Sequence, residues 1–290
     1  MSSIKILDGA MGTELIQEGC DLPKHIWSAH INLTNPSLIY NIHKNNIDSG
    51  AEYITTNTFR TTKRSFNKII SSLDTAILKS QKSLDNALKM AHRAVGERNV
   101  KILGSIAPLE DCYMPENYPG DEIAHGEFSE IAKRLVDNKI DIFLLETMNS
   151  ISETKVCISV VEKYKIPIWV SFNLLDEKHL LSGETIEAAM KSICSPMVTC
   201  VLLNCNSVAS TSLALSEISQ NWNKEWGIYP NIGLGKPSPD GVIKEYSSID
   251  EFLELSSKAV KLGATILGGC CGSTSDHIKA LKNKFTGRCQ

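Results

Sequence analysis

Short runs of β-branched and apolar residues recur along the chain, separated by longer segments whose apolar positions fall three and four apart. The first pattern predicts strands and the second amphipathic helices, and their regular alternation marks βα units and a parallel sheet. The strand-sized runs are Ile4 to Leu7, Tyr53 to Asn57, Ile102 to Ile106, Ile140 to Leu145, Ile168 to Phe172, Val198 to Leu203, Trp226 to Tyr229 and Thr265 to Leu267. Eight units in 290 residues predict an α/β fold, a (β/α)8 TIM barrel filling 1–290 as a single domain, since such barrels run to about 250 residues as one unit.

Helix signals fall between these runs. Ile77, Leu84, Leu88, Ala91 and Val95 form one apolar stripe. Asn35 before Pro36 reads as an N-cap with proline at the first helical position. Ser150 with Glu153, and Ser248 with Glu251, have capping-box spacing, and Gly263 is placed to end a helix in a left-handed turn. The stretch from Pro108 to Gly126 lacks a period and is expected as an inserted loop after the third strand, at the mouth of the barrel.

Active sites in this fold sit at the C-terminal ends of the strands. The prediction therefore gathers Asp8 and Gly9, then Thr56, Asn57 and Thr58, then Glu146, Asn173, Cys205, Asn231, and finally Cys270 and Cys271, around one mouth.

Composition narrows the function classes. A net charge of -3 and no dense Lys/Arg stripe exclude a polyanion-binding surface, so no nucleic acid is expected. The apolar runs are far shorter than the roughly 20 residues of a membrane helix, so no membrane is expected. Nine cysteines, an odd number at irregular spacings, predict reduced thiols and a cytoplasmic protein.

Two adjacent cysteines between glycine pairs, Gly268-Gly269-Cys270-Cys271-Gly272, can turn both sulfurs to one side. With Cys205 they make three thiolate ligands for Zn2+, with a fourth tetrahedral position open as catalytic zinc requires. On spacing alone, buried thiols, or occasionally a vicinal disulfide, are the commoner explanation of such a pair, and convergence at strand ends favours the metal. Three thiolates leave zinc a poor acid towards water. A substrate thiol is the better guest, which points to alkyl transfer to sulfur.

The segments Leu7-Asp8-Gly9-Ala10-Met11-Gly12-Thr13-Glu14-Leu15, Thr56-Asn57-Thr58-Phe59, Leu145-Glu146-Thr147, Asn204-Cys205 and Gly268 to Gly272 together resemble the homocysteine S-methyltransferase family over nearly the whole chain. Ile26-Trp27-Ser28-Ala29 after Gly19-Cys20 is most similar to the branch using S-methylmethionine or S-adenosylmethionine. The resemblance implies zinc on Cys205, Cys270 and Cys271, and homocysteine held by Asp8 and Gly9, with Thr56 and Thr58 near its carboxylate and Glu146 on its ammonium. It also implies a sulfonium methyl donor and methionine as product. Physics supports Glu146, because a carboxylate ending an apolar strand is costly to desolvate without a cationic partner.

Where the betaine-using branch carries a tyrosine after that glutamate, Thr147 stands here, which leaves the resting fourth ligand open. Asn173 and Asn231 are candidates to orient the thiolates from behind, and satisfied loop amides are the alternative. Trp27, Tyr113 and Tyr118 are candidates to face a sulfonium. The other cysteines, Cys20, Cys112, Cys157, Cys194, Cys200 and Cys289, are read as structural or incidental. Rival readings are a methyl-corrinoid protein as donor, or a zinc- or thiol-binding barrel without turnover. Oligomeric state is left open.

Overall fold

The computed structural model describes residues 3–234 and 241–287; Cys289 lies outside them. Eight strands lie parallel in one sheet: β1 (Lys5–Ile6), β2 (Tyr53–Thr55), β3 (Lys101–Ile106), β4 (Ile142–Met148), β5 (Ile168–Phe172), β6 (Val198–Ser207), β7 (Glu225–Asn231) and β8 (Ile266–Leu267). Neighbours in sequence are neighbours in space, and β8 returns to pair with β1. The wall closes where Leu7 bridges Tyr53 in parallel and the Glu52 N–H donates to the Ile6 carbonyl at 2.8 Å. This is the (β/α)8 barrel that the hydrophobic pattern predicts.

Alternation along each strand sorts the core into two layers. Ile142 and Leu144 of β4, and Cys200 and Leu202 of β6, fill the barrel interior with Leu7, Leu103, Trp169, Tyr229 and Ile266. Phe143, Leu145, Val201 and Leu203 face outward and pack under the helices. Continued upward by the same period of two, the interior positions become Ser105, Glu146, Ser171 and Asn204. The floor is therefore oily and the top polar, and a polar ligand can enter from one end only.

Several local expectations are met and others corrected. The helix Leu73–Val95 buries Leu84, Leu88, Ala91 and Val95. Ser248 and Glu251 form a complete capping box, and Gly263 has φ +102 just past the helix Ile249–Lys261. Ser150 caps its helix, but Glu153 reaches instead to the Leu109 N–H at 2.8 Å, so that box is only half formed. Asn35 makes no side-chain cap, because it is the joint between the helices Ile31–Thr34 and Pro36–Asp48. The stretch after β3 is irregular only as far as Gly120, apart from a short turn at Pro115–Asn117. From there Asp121–Asp137 is helical, helped by Asp121 and Glu122 at its positive end, and Gly126 lies inside it.

Candidate active site

Cys205 rides on β6, while Cys270 and Cys271 follow β8 after a two-glycine turn. Gly269 is needed there because a Cβ would stand 2.4 Å from the Ser273 hydroxyl, and Gly272 turns back with φ +82. The Cys270 N–H donates to the Pro230 carbonyl at 2.9 Å, tying this loop to β7. The Sγ atoms of Cys205 and Cys270 are 3.0 Å apart, those of Cys270 and Cys271 3.9 Å, and all three lie within 4.8 Å of one another. Among the described residues this is the group with a metal-binding arrangement.

The hydrogen bond with Cys270 foremost, then that with Cys271 and burial, pushes the Cys205 thiol up. Cys271, bonded by Cys205 and Cys270, is driven well down. Three sulfurs this close cannot all ionise without a cation among them. The donor set fits zinc: sulfurs about 2.3 Å from a tetrahedral ion stand roughly 3.8 Å apart, a spacing inside the observed range.

Two carboxyls share the mouth with the sulfurs. Asp8 is buried and accepts the Thr55 N–H at 2.7 Å and the Thr55 hydroxyl at 3.0 Å. Burial, only partly offset by those bonds, pushes its pKa to about 8, and the charge of Glu146 adds to the rise. Glu146 accepts the Ser105 hydroxyl, and burial again pushes it to about 8, against that bond and with help from Cys270. Buried acids with raised proton affinity in a mouth of this kind are candidates for a binding role.

Thr56 and Thr58 stand beside them, but their protons are committed. Thr56 Oγ1 accepts the Ser105 N–H at 3.0 Å, and Thr58 donates to the Ser105 carbonyl at 2.7 Å. The 2.8 Å contact between the two hydroxyls must then run from Thr56 to Thr58. Both threonines thus clasp Ser105, which in turn holds Glu146. The Gly9 N–H is likewise taken by Asn46 Oδ1 at 2.9 Å. Gly9, Thr56 and Thr58 thus stand in the wall of the mouth, where these bonds hold them in place.

Asn173 and Asn231 also stand at the strand ends: the Asn231 Oδ1 accepts the Gly233 N–H at 2.8 Å, and the buried Asn173 Nδ2 has no partner among the described residues.

Comparison with known proteins follows these features. The family model described as homocysteine S-methyltransferase matches residues 5–285. The chain belongs to the homocysteine S-methyltransferase family. It is 29% identical to the homocysteine S-methyltransferase of Escherichia coli, over 96% of this chain and 94% of that one. It is 26% identical to a selenocysteine Se-methyltransferase of Brassica oleracea var. italica, over 98% and 89%. The crystal structure of the homocysteine methyltransferase MmuM from E. coli, in its metallated form, superposes with a TM-score of 0.82 at 25% identity, covering 98% of this chain and 96% of that one.

Methyl transfer to homocysteine requires a place for a thiol, an ammonium and a carboxylate, and for a donor on the solvent side. Of the aromatic candidates, Tyr113 is beside the sulfurs: the charge of Cys205 foremost, then burial, pushes its phenol up. Tyr118 instead donates to Asp121 Oδ1 at 2.8 Å, outside the mouth. Trp27 is wedged between Gly12 and Gly241, where added Cβ atoms would come within 2.4 and 2.0 Å of its indole.

Residues that sequence reading missed for this methyltransferase site include Thr55, Ser105, Tyr229 and Asn204. Tyr229 is 4% exposed and its hydroxyl has no hydrogen-bond partner among the described residues. Burial foremost, then the charge of Glu146, pushes its phenol well up, with the nearby Ser171 offsetting part. Strand alternation, continued two residues above the apolar layer, is the signal that finds Thr55, Ser105 and Asn204, while Tyr229 belongs to that layer itself.

No helix among the described residues is long and apolar enough to cross a membrane.

Proposed function

We propose that this chain, acting as one domain over 1–290, moves a methyl group from a sulfonium compound, S-methylmethionine or S-adenosylmethionine, to the thiol of homocysteine, giving methionine. Cys205, Cys270 and Cys271 would hold Zn2+. The carrying observation is that three sulfurs from β6 and the loop after β8 lie within 4.8 Å of one another at the mouth shared by Asp8 and Glu146, which burial pushes up to about 8. When bound, zinc supplies an open, soft position that lets a thiol lose its proton near neutral pH.

The chain's own groups do the rest. Glu146, steadied by Ser105, and Asp8, steadied by Thr55, ionise as the substrate ammonium arrives between them, which fixes the amino acid end. The thiol end then lies towards the sulfurs. There the thiolate attacks the donor methyl carbon in line, a new C–S bond forms as the sulfonium C–S bond breaks, and the former sulfonium leaves as a neutral thioether. The oily floor excludes water from below.

The test supplies homocysteine and zinc-loaded protein with S-methylmethionine, S-adenosylmethionine or methylcobalamin separately. Methionine from a sulfonium is expected; methionine from methylcobalamin alone, or from none, would overturn the proposal.

A further inference from the structure

Two residues that are neither glycine nor asparagine take the left-handed backbone conformation on adjacent parts of this site: Thr147 with φ +58 and Cys205 with φ +57. The region is unfavourable for a thiol side chain and worse for a β-branched one. Each sits where its strand breaks register. The pairing of β4 with β5 shifts between Leu145 and Met148, and that of β6 with β7 between Asn204 and Ser207. These are bulges, which re-aim side chains at the rim of a sheet. The first aims Glu146, the residue before Thr147; the second aims the sulfur of Cys205.

One side chain holds both. Asn204 is fully buried, and its Oδ1 accepts the Thr147 N–H at 3.0 Å while its Nδ2 donates to Thr147 Oγ1 at 2.9 Å. The Ser171 hydroxyl of β5, which lies between the two strands, also donates to Oδ1, at 2.6 Å. The N–H and the hydroxyl oxygen of the strained Thr147 thus both meet Asn204, the chain neighbour of Cys205. Strained residues persist only where their surroundings over-determine them, and this amide is what does so.

We infer that Asn204 is a positioning residue which locks the bulges of β4 and β6 together and so fixes the distance between the ammonium-binding Glu146 and the metal-binding Cys205. The span between those groups has to match the length of homocysteine, so the clamp sets which amino acid thiols reach both ends. The inference rests on the proposed zinc and homocysteine contacts, and deepens them. Asn206, on the far side of Cys205, is the natural contrast. It is buried too and bonds the Leu174 N–H at 2.8 Å and the Phe172 carbonyl at 3.2 Å, reaching β5 and its loop but not β4.

The test uses the full chain as Asn204→Ala and Asn206→Ala, with folding followed by circular dichroism and Tm. Zinc affinity is read by competition with a chromophoric chelator, and homocysteine KM and kcat separately. Residues supporting metal ligands typically alter affinity by about 10–100-fold. N204A should weaken zinc by about tenfold or more and raise the homocysteine KM by a similar factor, and should lose part of its preference for homocysteine over cysteine. N206A should weaken zinc while leaving KM within about twofold. If N204A moves only one of the two constants, or neither, the clamp is overturned; if N206A moves both alike, the change is general destabilisation and the clamp is equally overturned. Should N204A fail to fold, Thr147→Ala keeps the N–H bond and loses the hydroxyl, and both constants should still shift together by roughly threefold; an unmoved constant there overturns the inference. Wild-type protein that binds no zinc would sink the proposed function instead, a result distinct from all of these.

Discussion

The charge of Glu146 on β4 raises the proton affinity of Asp8 beyond β1, across the mouth of the barrel. Both carboxyls stand at about 8 in the free protein, chiefly through burial. An arriving ammonium favours their ionised forms, so binding releases protons and must tighten as pH rises towards that value.

Homocysteine KM should therefore fall by at least about tenfold between pH 6 and pH 8. Glu146→Gln should raise KM and flatten the profile. A wild-type KM independent of pH over this range would remove the carboxyl pair from substrate binding.

Cys205→Ser, Cys270→Ser or Cys271→Ser should each lose stoichiometric zinc and drop activity below about 1% of wild type, and prolonged chelation of the wild type should do the same reversibly. Metal analysis beside the activity assay checks this. A serine variant that keeps full activity would refute the metal assignment.

Tyr229→Phe separates stability from function. Deleting an unpartnered buried hydroxyl should stabilise the fold by roughly 1–3 kcal/mol, and removing a polar group from beside Glu146 should raise homocysteine KM about 3- to 10-fold. Opposite changes in Tm and affinity are the expected signature. An unchanged KM would take the phenol out of the binding site.

Glu153 gives a pH effect on stability. Burial pushes it to about 7, against the Leu109 N–H that it accepts. A carboxyl with a raised folded pKa contributes stability in full below its unfolded pKa and loses it as pH rises through the folded value. Glu153→Gln can keep the bond to Leu109 without that loss. Its stability relative to wild type should therefore improve between pH 5 and pH 8, by an amount on the order of a few kcal/mol, read as a rising Tm difference. A constant Tm difference would show that Glu153 does not titrate there.

The barrel was legible because its strands are buried on both faces and read as apolar runs, as at Ile142 to Leu145 and Val198 to Leu203. Their ends were read short: β4 runs on to Met148 and β6 to Ser207, carried past the apolar residues by bulges that periodicity does not register. The cysteine pair stood out by residue type. Asn204 did not, since an asparagine before a cysteine acquires its role only when Thr147, 57 positions away, lies against it. Glu153 shows the same limit. Its spacing from Ser150 suits a local cap, yet a backbone donor on another loop competes for the carboxylate and wins. For Gly9, Thr56 and Thr58, location at the mouth was legible, but not which neighbours had already taken their hydrogens.

The last strand of the wall, β8, is two residues long and pairs with the equally short β1, beyond which the barrel shuts through the Leu7–Tyr53 bridge. Just beyond it come Cys270 and Cys271, while Cys205 belongs to β6, ten residues long. An ion gripping all three sulfurs would rivet one of the barrel's two shortest staves to its longest. Loading the centre would then toughen the whole hoop against heat, and the proposed metal would double as a fastener.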